Sequence, residues 1–244
     1  MQPDVLWQTL RGEAQAIAAS EPVLASYIHS VVLHHNNLSE VMSFHLARLL
    51  DSAAAPALLL REVCAEAFQK APDIIQQVSR DIVACYERDA ACDHYVMPLL
   101  YFKGFHALQS YRVAHWLWQQ ERQMLALHIQ SRMSEVFAVD IHPAAVIGSG
   151  ILMDHATGVV IGETAVIEDD VSMLHEVTLG GSGRARGCRR HPLIRRGVLL
   201  ATGAKILGPV EIGEGAKVGG GSVVLTDIPP HSTAAGVPAK IIGR

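Results

Sequence analysis

The chain has 244 residues, half of them hydrophobic and 18% charged, and this balance excludes an intrinsically disordered protein. Its length allows one large folded domain or two smaller ones. The formal net charge of −4 gives no general attraction to nucleic acids or anionic membranes, so any anion site must be local.

The sequence also bears on the compartment. No uncharged apolar run approaches the roughly 18 to 20 residues that cross a bilayer. The first residues lack a basic stretch followed by an apolar core. The cysteines contain no C-x-x-C pair, and they are Cys64, Cys85, Cys92 and Cys188. We therefore expect a cytoplasmic protein with free thiols.

The first half follows the helical period from Val23 to about Phe137. Asn37 can cap one helix, with Glu40 in the capping-box position three residues later. The residues on one face of that helix are Leu38, Val41, Met42, Leu46, Leu49 and Leu50.

Prolines mark further helix starts in this half. Pro56 and Pro72 stand where helices could begin. Residues 98–137 predict one or two long helices, interrupted or bent near Gly104. We expect residues 1–138 to form an all-helical domain.

From Ile141 onward, large aliphatic residues recur every six positions. A hexapeptide period fits neither a helix nor a hairpin and is typical of a parallel β-helix, in which each hexad forms one face of a triangular coil. So many in-phase positions argue against the alternative, a sandwich of short strands. They are Ile141, Ile147, Met153, Val159, Ile161, Ile167, Met173, Leu179, Ile194, Leu200, Ile206, Ile212, Val218 and Val224.

The period slips twice. The first slip contains Asp154-His155-Ala156-Thr157-Gly158, and the second is an ejected loop at about residues 182–193, rich in glycine and arginine. Loops that leave a rigid solenoid are where ligands are usually handled.

Several motifs of this chain match one known family. They are Pro98-Leu99-Leu100-Tyr101, Lys103-Gly104-Phe105-His106-Ala107-Leu108-Gln109, His115-Trp116-Leu117-Trp118, Val139-Asp140-Ile141-His142-Pro143-Ala144-Ala145, Asp154-His155-Ala156-Thr157-Gly158 and Gly162-Glu163-Thr164-Ala165-Val166-Ile167. Through these motifs the chain resembles the bacterial serine O-acetyltransferases of cysteine biosynthesis over nearly its whole length. The hexads alone would indicate only an acyltransferase-like solenoid. The helical half joined to them makes the resemblance specific.

The resemblance implies an α+β fold, with an N-terminal all-α helical domain over residues 1–138 followed by a left-handed parallel β-helix over residues 139–244. The helical domain would serve oligomerisation and supply part of the serine site. The β-helices would form trimers, and helical halves would join two trimers into a hexamer.

The implied activity is transfer of the acetyl group of acetyl-CoA to the hydroxyl of L-serine, which gives O-acetyl-L-serine in the first step of cysteine biosynthesis. Acetyl-CoA is the co-substrate, no metal is expected, and L-cysteine would inhibit by competing for the serine pocket.

His155 is the first catalytic candidate, because an imidazole titrates near neutral pH and can take a proton from an alcohol. Without the resemblance, a polar residue at a β-helix corner would explain it as well. The resemblance pairs His155 with Asp140, which would hold the ring as the acid of a catalytic triad does. From sequence alone, Asp140 is more often a turn residue before Ile141.

Serine needs acidic groups for its ammonium and basic donors for its carboxylate. The resemblance maps these onto Asp89 and Asp154 on the acidic side, and onto Arg190 and His191 on the basic side. On their own, Asp89 could be a solvated helix end, and Arg190 could belong to a flexible surface loop.

The acyl donor would lie along the solenoid, where backbone N–H groups of tight turns meet the thioester carbonyl and pantetheine amides. The resemblance assigns these contacts to Gly181, Thr202 and Gly220, with Lys240 as a partner for a phosphate. Glycines also simply make corners, and Lys240 can be solvated.

The chain departs from the family pattern in a few places. The loop before His191 is one residue longer, Arg189 replaces a common aspartate, and Thr202 and Gly220 stand where alanines are common. These changes bear on loop geometry and donor fit.

Other functions compete with this one. A zinc carbonic anhydrase on the same solenoid would use histidines from His142, His155, His175 and His191. A non-catalytic trimeric scaffold would make His155 dispensable. A third alternative keeps acyl transfer but changes the acceptor to another hydroxyl or amino compound.

The last expectation concerns a partner. Family members commonly extend past Ala234-Ala235-Gly236-Val237-Pro238-Ala239 with a flexible tail ending in isoleucine, which enters the active site of O-acetylserine sulfhydrylase. Here only five residues follow, and arginine is a poor replacement for an aliphatic side chain. We therefore expect no tight complex with the sulfhydrylase.

Overall fold

A computed structural model describes residues 1–181 and 189–243. The first part is helical. Its α-helices are α1 (Pro3–Ser20), α2 (Ala25–Ile28), α3 (Leu38–Leu49), α4 (Ala57–Lys70), α5 (Asp73–Arg88), α6 (Val96–Tyr101), α7 (Lys103–Gln119) and α8 (Gln123–Phe137). A 3₁₀ turn (Pro22–Leu24) and a π-helical turn (His29–Leu33) flank α2.

The helix starts agree with the signals in the sequence. The Asn37 side chain accepts a hydrogen bond from the Glu40 backbone N–H at 2.9 Å, which caps α3. Pro56 and Pro72 immediately precede α4 and α5. The helix α1 lies before the residues in which the sequence showed a clear period.

The predicted interruption near Gly104 is the break at Phe102, between α6 and α7. Gly104 then lies against the β-helix: a Cβ there would be 2.0 Å from the Met153 carbonyl oxygen and 2.9 Å from Ala156 Cβ. Only glycine permits this approach of α7 to the solenoid backbone.

The second part is a parallel β-solenoid, so the predicted architecture is confirmed. Its strands are β1 (Val139–Ile141), β2 (Val146–Ile147), β3 (Leu152–Met153), β4 (Val159–Ile161), β5 (Val166–Ile167), β6 (Ser172–Met173), β7 (Thr178–Gly180), β8 (Leu193–Ile194), β9 (Leu199–Leu200), β10 (Lys205–Leu207), β11 (Glu211–Ile212), β12 (Lys217–Val218), β13 (Val223–Val224), β14 (Thr233–Gly236) and β15 (Ala239–Gly243).

These strands form three faces of a prism. The first face contains β1, β4, β7, β10 and β13, the second β2, β5, β8 and β11, and the third β3, β6, β9, β12, β14 and β15. All pairs are parallel except β14 with β15, which are antiparallel. The hexad residues point inward, and every one from Ile141 to Val224 is at most 6% exposed.

The strand register locates both slips of the period. Ile161 pairs with Leu179, which follows it by three hexads, the length of a regular coil. Ile141 pairs with Ile161, and Ile167 pairs with Ile194; each of these coils is longer than three hexads, because each contains one of the slips. Both insertions leave the solenoid core unbroken. Residues 182–188 of the second slip, with Cys188, lie outside the described residues.

A buried ion pair joins the helices to the solenoid. Asp81 of α5 is fully buried and accepts hydrogen bonds from Arg112 of α7, 2.7 Å from Nη2 to Oδ2. The other Asp81 oxygen accepts from the Ile151 backbone N–H at 2.9 Å, and Arg112 donates to the Gly148 carbonyl at 2.8 Å. Both halves therefore share one core.

Within the described residues, no single helix meets the length and hydropathy needed to cross a membrane, although the bent pair Pro3–Ser20 and Pro22–Leu33 does so together. Cys64, Cys85 and Cys92 are buried free thiols. Burial raises the pKa of Cys64 to about 12 and that of Cys92 to about 11.

Candidate active site

His155 lies in a tight turn at the corner where the chain passes from the third face to the first, here called the His155 corner. Its φ is 55°, and that of Ala156 is 61°, so two consecutive residues with a Cβ adopt the left-handed region. The turn is closed by backbone bonds from Thr157 N–H to the His155 carbonyl at 2.9 Å, and from Gly158 N–H to the Ala138 carbonyl at 2.7 Å.

This turn presents the imidazole to solvent. The His155 side chain is 72% exposed, and its Nε2 is 3.5 Å from Asp154 Oδ2. The ring of His175, one coil further along the same corner, is 5.8 Å away in an edge-to-face arrangement. An exposed imidazole beside a carboxylate can accept and return a proton.

The His155 corner and the helices enclose a cavity of about 410 Å³. Such a volume suits a small ligand. Its lining residues are Asp89, Ala91, Met97, Tyr101, Phe102, Lys103, Gly104, Met153, Asp154, His155 and Thr157. Three sequence-predicted site residues, Asp89, Asp154 and His155, thus line one cavity.

Asp89 ends α5, and its Oδ1 accepts from the Ala91 backbone N–H at 2.9 Å. Asp154 directly follows β3. These two carboxylates give the cavity the negative charge that a substrate ammonium requires.

Asp140 lies in β1 on the first face, and its Oδ1 accepts a hydrogen bond from Gln130 Nε2 of α8 at 2.7 Å. Among the bonds of the described residues there is none between Asp140 and His155. The carboxylate within 4 Å of the His155 ring is that of Asp154. The Asp140–His155 pair stays a prediction.

Arg190 and His191 lie at a different corner, where the chain passes from the first face to the second, here called the Arg190 corner. Arg190 Nη2 donates to Glu163 Oε2 at 2.7 Å, and its backbone N–H donates to Thr164 Oγ1 at 3.0 Å. The guanidinium is therefore held in place by a carboxylate of the preceding coil.

His191 is only 6% exposed, and its Nδ1 accepts from the Thr164 backbone N–H at 3.2 Å. A neutral ring then carries its proton on Nε2 and can donate it. Burial lowers the pKa of His191, and the Arg190 charge lowers it further. The ring lies over Gly162, where a Cβ would be 2.0 Å from Nε2.

The two corners lie on opposite edges of the first face. Strand β7, for example, runs across that face from one corner to the other. His175 precedes it at the His155 corner, and Gly181 follows it at the Arg190 corner. A six-residue face spans about 20 Å at roughly 3.3 Å a residue. The structure therefore does not bring Arg190 and His191 next to His155 within one chain.

The residues predicted to contact the acyl donor also lie in different parts of the solenoid. Thr202 and Gly220 belong to the His155 corner of the later coils, where the Gly221 N–H donates to the Thr202 carbonyl at 2.8 Å. Gly181 is at the Arg190 corner, where a Cβ would be 3.0 Å from His191 Nε2. Lys240 lies on β15, opposite Ala235 of β14.

The histidines that a zinc site would need divide in the same way, with His155 and His175 at one corner and His142 and His191 near the other. Across residues 1–181 and 189–243, no group of three or more His, Cys, Asp or Glu side chains is placed to hold a metal ion.

A family profile described as serine acetyltransferase, N-terminal, matches residues 6–110. The serine acetyltransferase of Salmonella typhimurium is 55% identical over 241 residues, which cover 99% of this chain and 88% of the relative. The chain belongs to the serine acetyltransferase family. The crystal structure of the serine acetyltransferase from Vibrio cholerae has a TM-score of 0.98 and 55% identity, and the match covers 100% of this chain and 94% of that one.

Other solved serine acetyltransferases carry ligands. One from Neisseria gonorrhoeae is described in complex with serine, with a TM-score of 0.93, 51% identity and 96% of each chain covered. Two others are described as complexes with cysteine and with CoA, at 52% and 51% identity and TM-scores of 0.97 and 0.95; each match covers 99% of this chain and 100% of that one.

The geometry adds residues to the candidate site that the sequence did not single out. Lys103 lines the cavity and donates from Nζ to Thr157 Oγ1 at 2.5 Å. Thr164 and Glu163 hold the Arg190 corner. The signal available in the sequence was their presence in motifs shared with the family, which did not separate contact residues from packing residues.

Proposed function

We propose that this chain transfers the acetyl group of acetyl-CoA to the hydroxyl of L-serine, giving O-acetyl-L-serine in the first step of cysteine biosynthesis. The observation that carries the proposal is the exposed His155 imidazole at the mouth of a cavity that contains Asp89 and Asp154, in a chain of the serine acetyltransferase family.

In this mechanism His155 takes the proton of the serine hydroxyl as the oxygen attacks the thioester carbon. A tetrahedral intermediate forms, and its collapse breaks the C–S bond. The imidazolium then returns the proton to the departing CoA thiolate, so His155 ends neutral. Asp140, held by Gln130, stabilises the imidazolium and orients the ring.

The serine ammonium binds to Asp89 and Asp154, which already line the cavity. The carboxylate binds to Arg190 and His191 of a neighbouring copy, because those residues lie on the opposite edge of the first face. A trimer of β-helices that joins a His155 corner to an Arg190 corner completes the acceptor site. The Arg190–Glu163 ion pair fixes the guanidinium before serine arrives.

Acetyl-CoA lies along the His155 corner, past Thr202 and Gly220 of the later coils. The backbone of these turns can donate hydrogen bonds to the thioester carbonyl and the pantetheine amides. Gly181, at the Arg190 corner, and Lys240, on β15, lie away from this row of turns and contact the donor from there. L-cysteine, which carries a thiol in place of the serine hydroxyl, fits the same acceptor groups and inhibits by competition.

A thiol-release assay with acetyl-CoA tests the proposal. We expect turnover with L-serine to exceed that with L-homoserine, L-threonine or amino sugars, and L-cysteine to raise the KM for serine. Preference for another acceptor would assign a different acyl transfer. No thiol release with any acceptor would favour the scaffold alternative.

A further inference from the structure

The first turn of α7 lies directly against the turn that carries His155. Lys103 Nζ donates to Thr157 Oγ1 at 2.5 Å, two residues after His155. Gly104 contacts the Met153 carbonyl, two residues before His155. Two neighbouring residues of one helix thus contact the histidine turn on both sides.

We propose that Lys103 is a positioning residue for acetyl transfer, which holds the His155 turn through Thr157 and, with Gly104, fixes the direction of the imidazole. This inference rests on the proposed role of His155 as general base.

The turn needs contacts of this kind because its backbone is strained. His155 and Ala156 both have positive φ, at 55° and 61°. Such conformations persist in residues with a Cβ only where the surrounding structure over-determines them. The His155 side chain cannot supply that restraint, because it is 72% exposed.

The position of Lys103 is not explained by the stability of α7. It is the first residue of the helix, where the macrodipole disfavours a positive charge. The first turn of α7 has no side-chain cap that would compensate. Since the Lys103 ammonium contacts Thr157 from a position that does not favour α7, we infer that this residue serves the cavity and not the helix.

A set of four variants tests the contact. Lys103→Met removes the ammonium and keeps much of the side-chain length, and Thr157→Val removes the acceptor hydroxyl and keeps the branched shape. Thr157→Ser is the matched control, because it keeps the hydroxyl. The double variant Lys103→Met/Thr157→Val shows whether the two residues act through one another.

We expect Lys103→Met and Thr157→Val each to lower kcat about 10- to 100-fold, the loss expected from a small misplacement of a reacting group. The KM for acetyl-CoA and the thermal midpoint should change little. The double variant should lose no more than the more impaired single variant, and Thr157→Ser should keep kcat within about threefold of the parent.

Three results would overturn the inference. One is a normal kcat with a raised KM for serine in Lys103→Met, which would make Lys103 a substrate-binding residue. The second is additive losses in the double variant, and the third is a Thr157→Ser variant as impaired as Thr157→Val.

The variant His155→Ala separates this inference from the proposed function. If His155→Ala is inactive while Lys103→Met keeps its kcat, only the positioning role fails. If His155→Ala is as active as the parent, the general base is wrong, and the positioning role fails with it.

Discussion

The backbone of His155 is in the left-handed region, and its ring is exposed. A residue that serves only packing would need neither property. A left-handed conformation costs a residue with a Cβ about 1–2 kcal/mol. His191, in contrast, is buried and held by Thr164, so its surroundings favour one tautomer. Two histidines of one chain are thus suited to different tasks: proton transfer for the first and hydrogen-bond donation for the second.

Replacement of His155 by alanine should lower turnover by about two to four powers of ten, because the proposed general base is lost. Folding should persist, since the side chain is 72% exposed. Initial rates of thiol release together with circular dichroism check both statements. Asp140→Asn should be milder. A folded His155→Ala enzyme that acetylates serine at the parent rate would exclude the mechanism.

Replacement of Arg190 by alanine should raise the KM for serine far more than that for acetyl-CoA. Loss of a charge-assisted hydrogen bond should cost roughly 1.5 to 3 kcal/mol. Serinamide should be a poor substrate for the parent and little worse than serine for the variant. Equal losses with both substrates in both proteins would indicate that Arg190 serves the loop structure instead.

Helices α5 and α7 connect to the solenoid through charges rather than through apolar contact alone. Asp81 and Arg112 form an ion pair, and each also makes a hydrogen bond to the backbone of the first coil of the solenoid. Helices α3 and α7 also bring two buried imidazole rings together: His45 and His106 are 1% and 4% exposed and meet edge to face, with ring centroids 5.0 Å apart.

Removing one member of the buried ion pair should be strongly destabilising. Asp81→Ala leaves the Arg112 charge and the Ile151 N–H without their partner, and we expect a loss of about 3–5 kcal/mol in the free energy of unfolding. Urea denaturation measures it. The double variant Asp81→Leu/Arg112→Met should be more stable than Asp81→Ala, because it strands no charge; a less stable double variant would contradict this account.

The buried histidines should make the fold sensitive to acid. Burial lowers the pKa of His45 to about 3 and that of His106 to about 4, against about 6.5 in an unfolded chain. The unfolded state therefore binds more protons below pH 6.5, and the free energy of unfolding falls as pH falls toward 4. Each histidine should contribute about 1.4 kcal/mol per pH unit.

Urea titrations between pH 7 and pH 4 check this dependence. His45→Phe should flatten the slope by about one proton, because it removes one group that titrates only in the unfolded state. The substitution breaks no hydrogen bond, since neither His45 ring nitrogen has a partner in the described structure. An unaltered slope in His45→Phe would refute the prediction.

Local signals predicted the elements well and the contacts between them poorly. The hexad spacing predicted the solenoid, and Asn37 with Glu40 predicted the start of α3, because such patterns depend on residues close in the chain. The Lys103–Thr157 and Asp81–Arg112 contacts join residues far apart in the chain. No spacing encodes them.

At the scale of the whole molecule, the solenoid keeps its register while its coils differ in length. Regular coils of three hexads and the two longer coils stack on one core, since strand pairing resumes in register after each slip of the period. Both insertions adjoin candidate site residues. The fold can therefore change its chemistry at the corners without repacking its interior.

The separation of the two corners has a genetic consequence. The variants His155→Ala and Arg190→Ala each damage a different edge of the first face, so a mixed trimer of the proposed kind would contain junctions at which both edges are intact. Random assembly of equal amounts should restore about a quarter of the parent activity. Co-expression in one cell, with each allele alone as the control, measures this complementation. Activity of the mixture no higher than that of the two variants assayed alone would contradict a site shared between two chains.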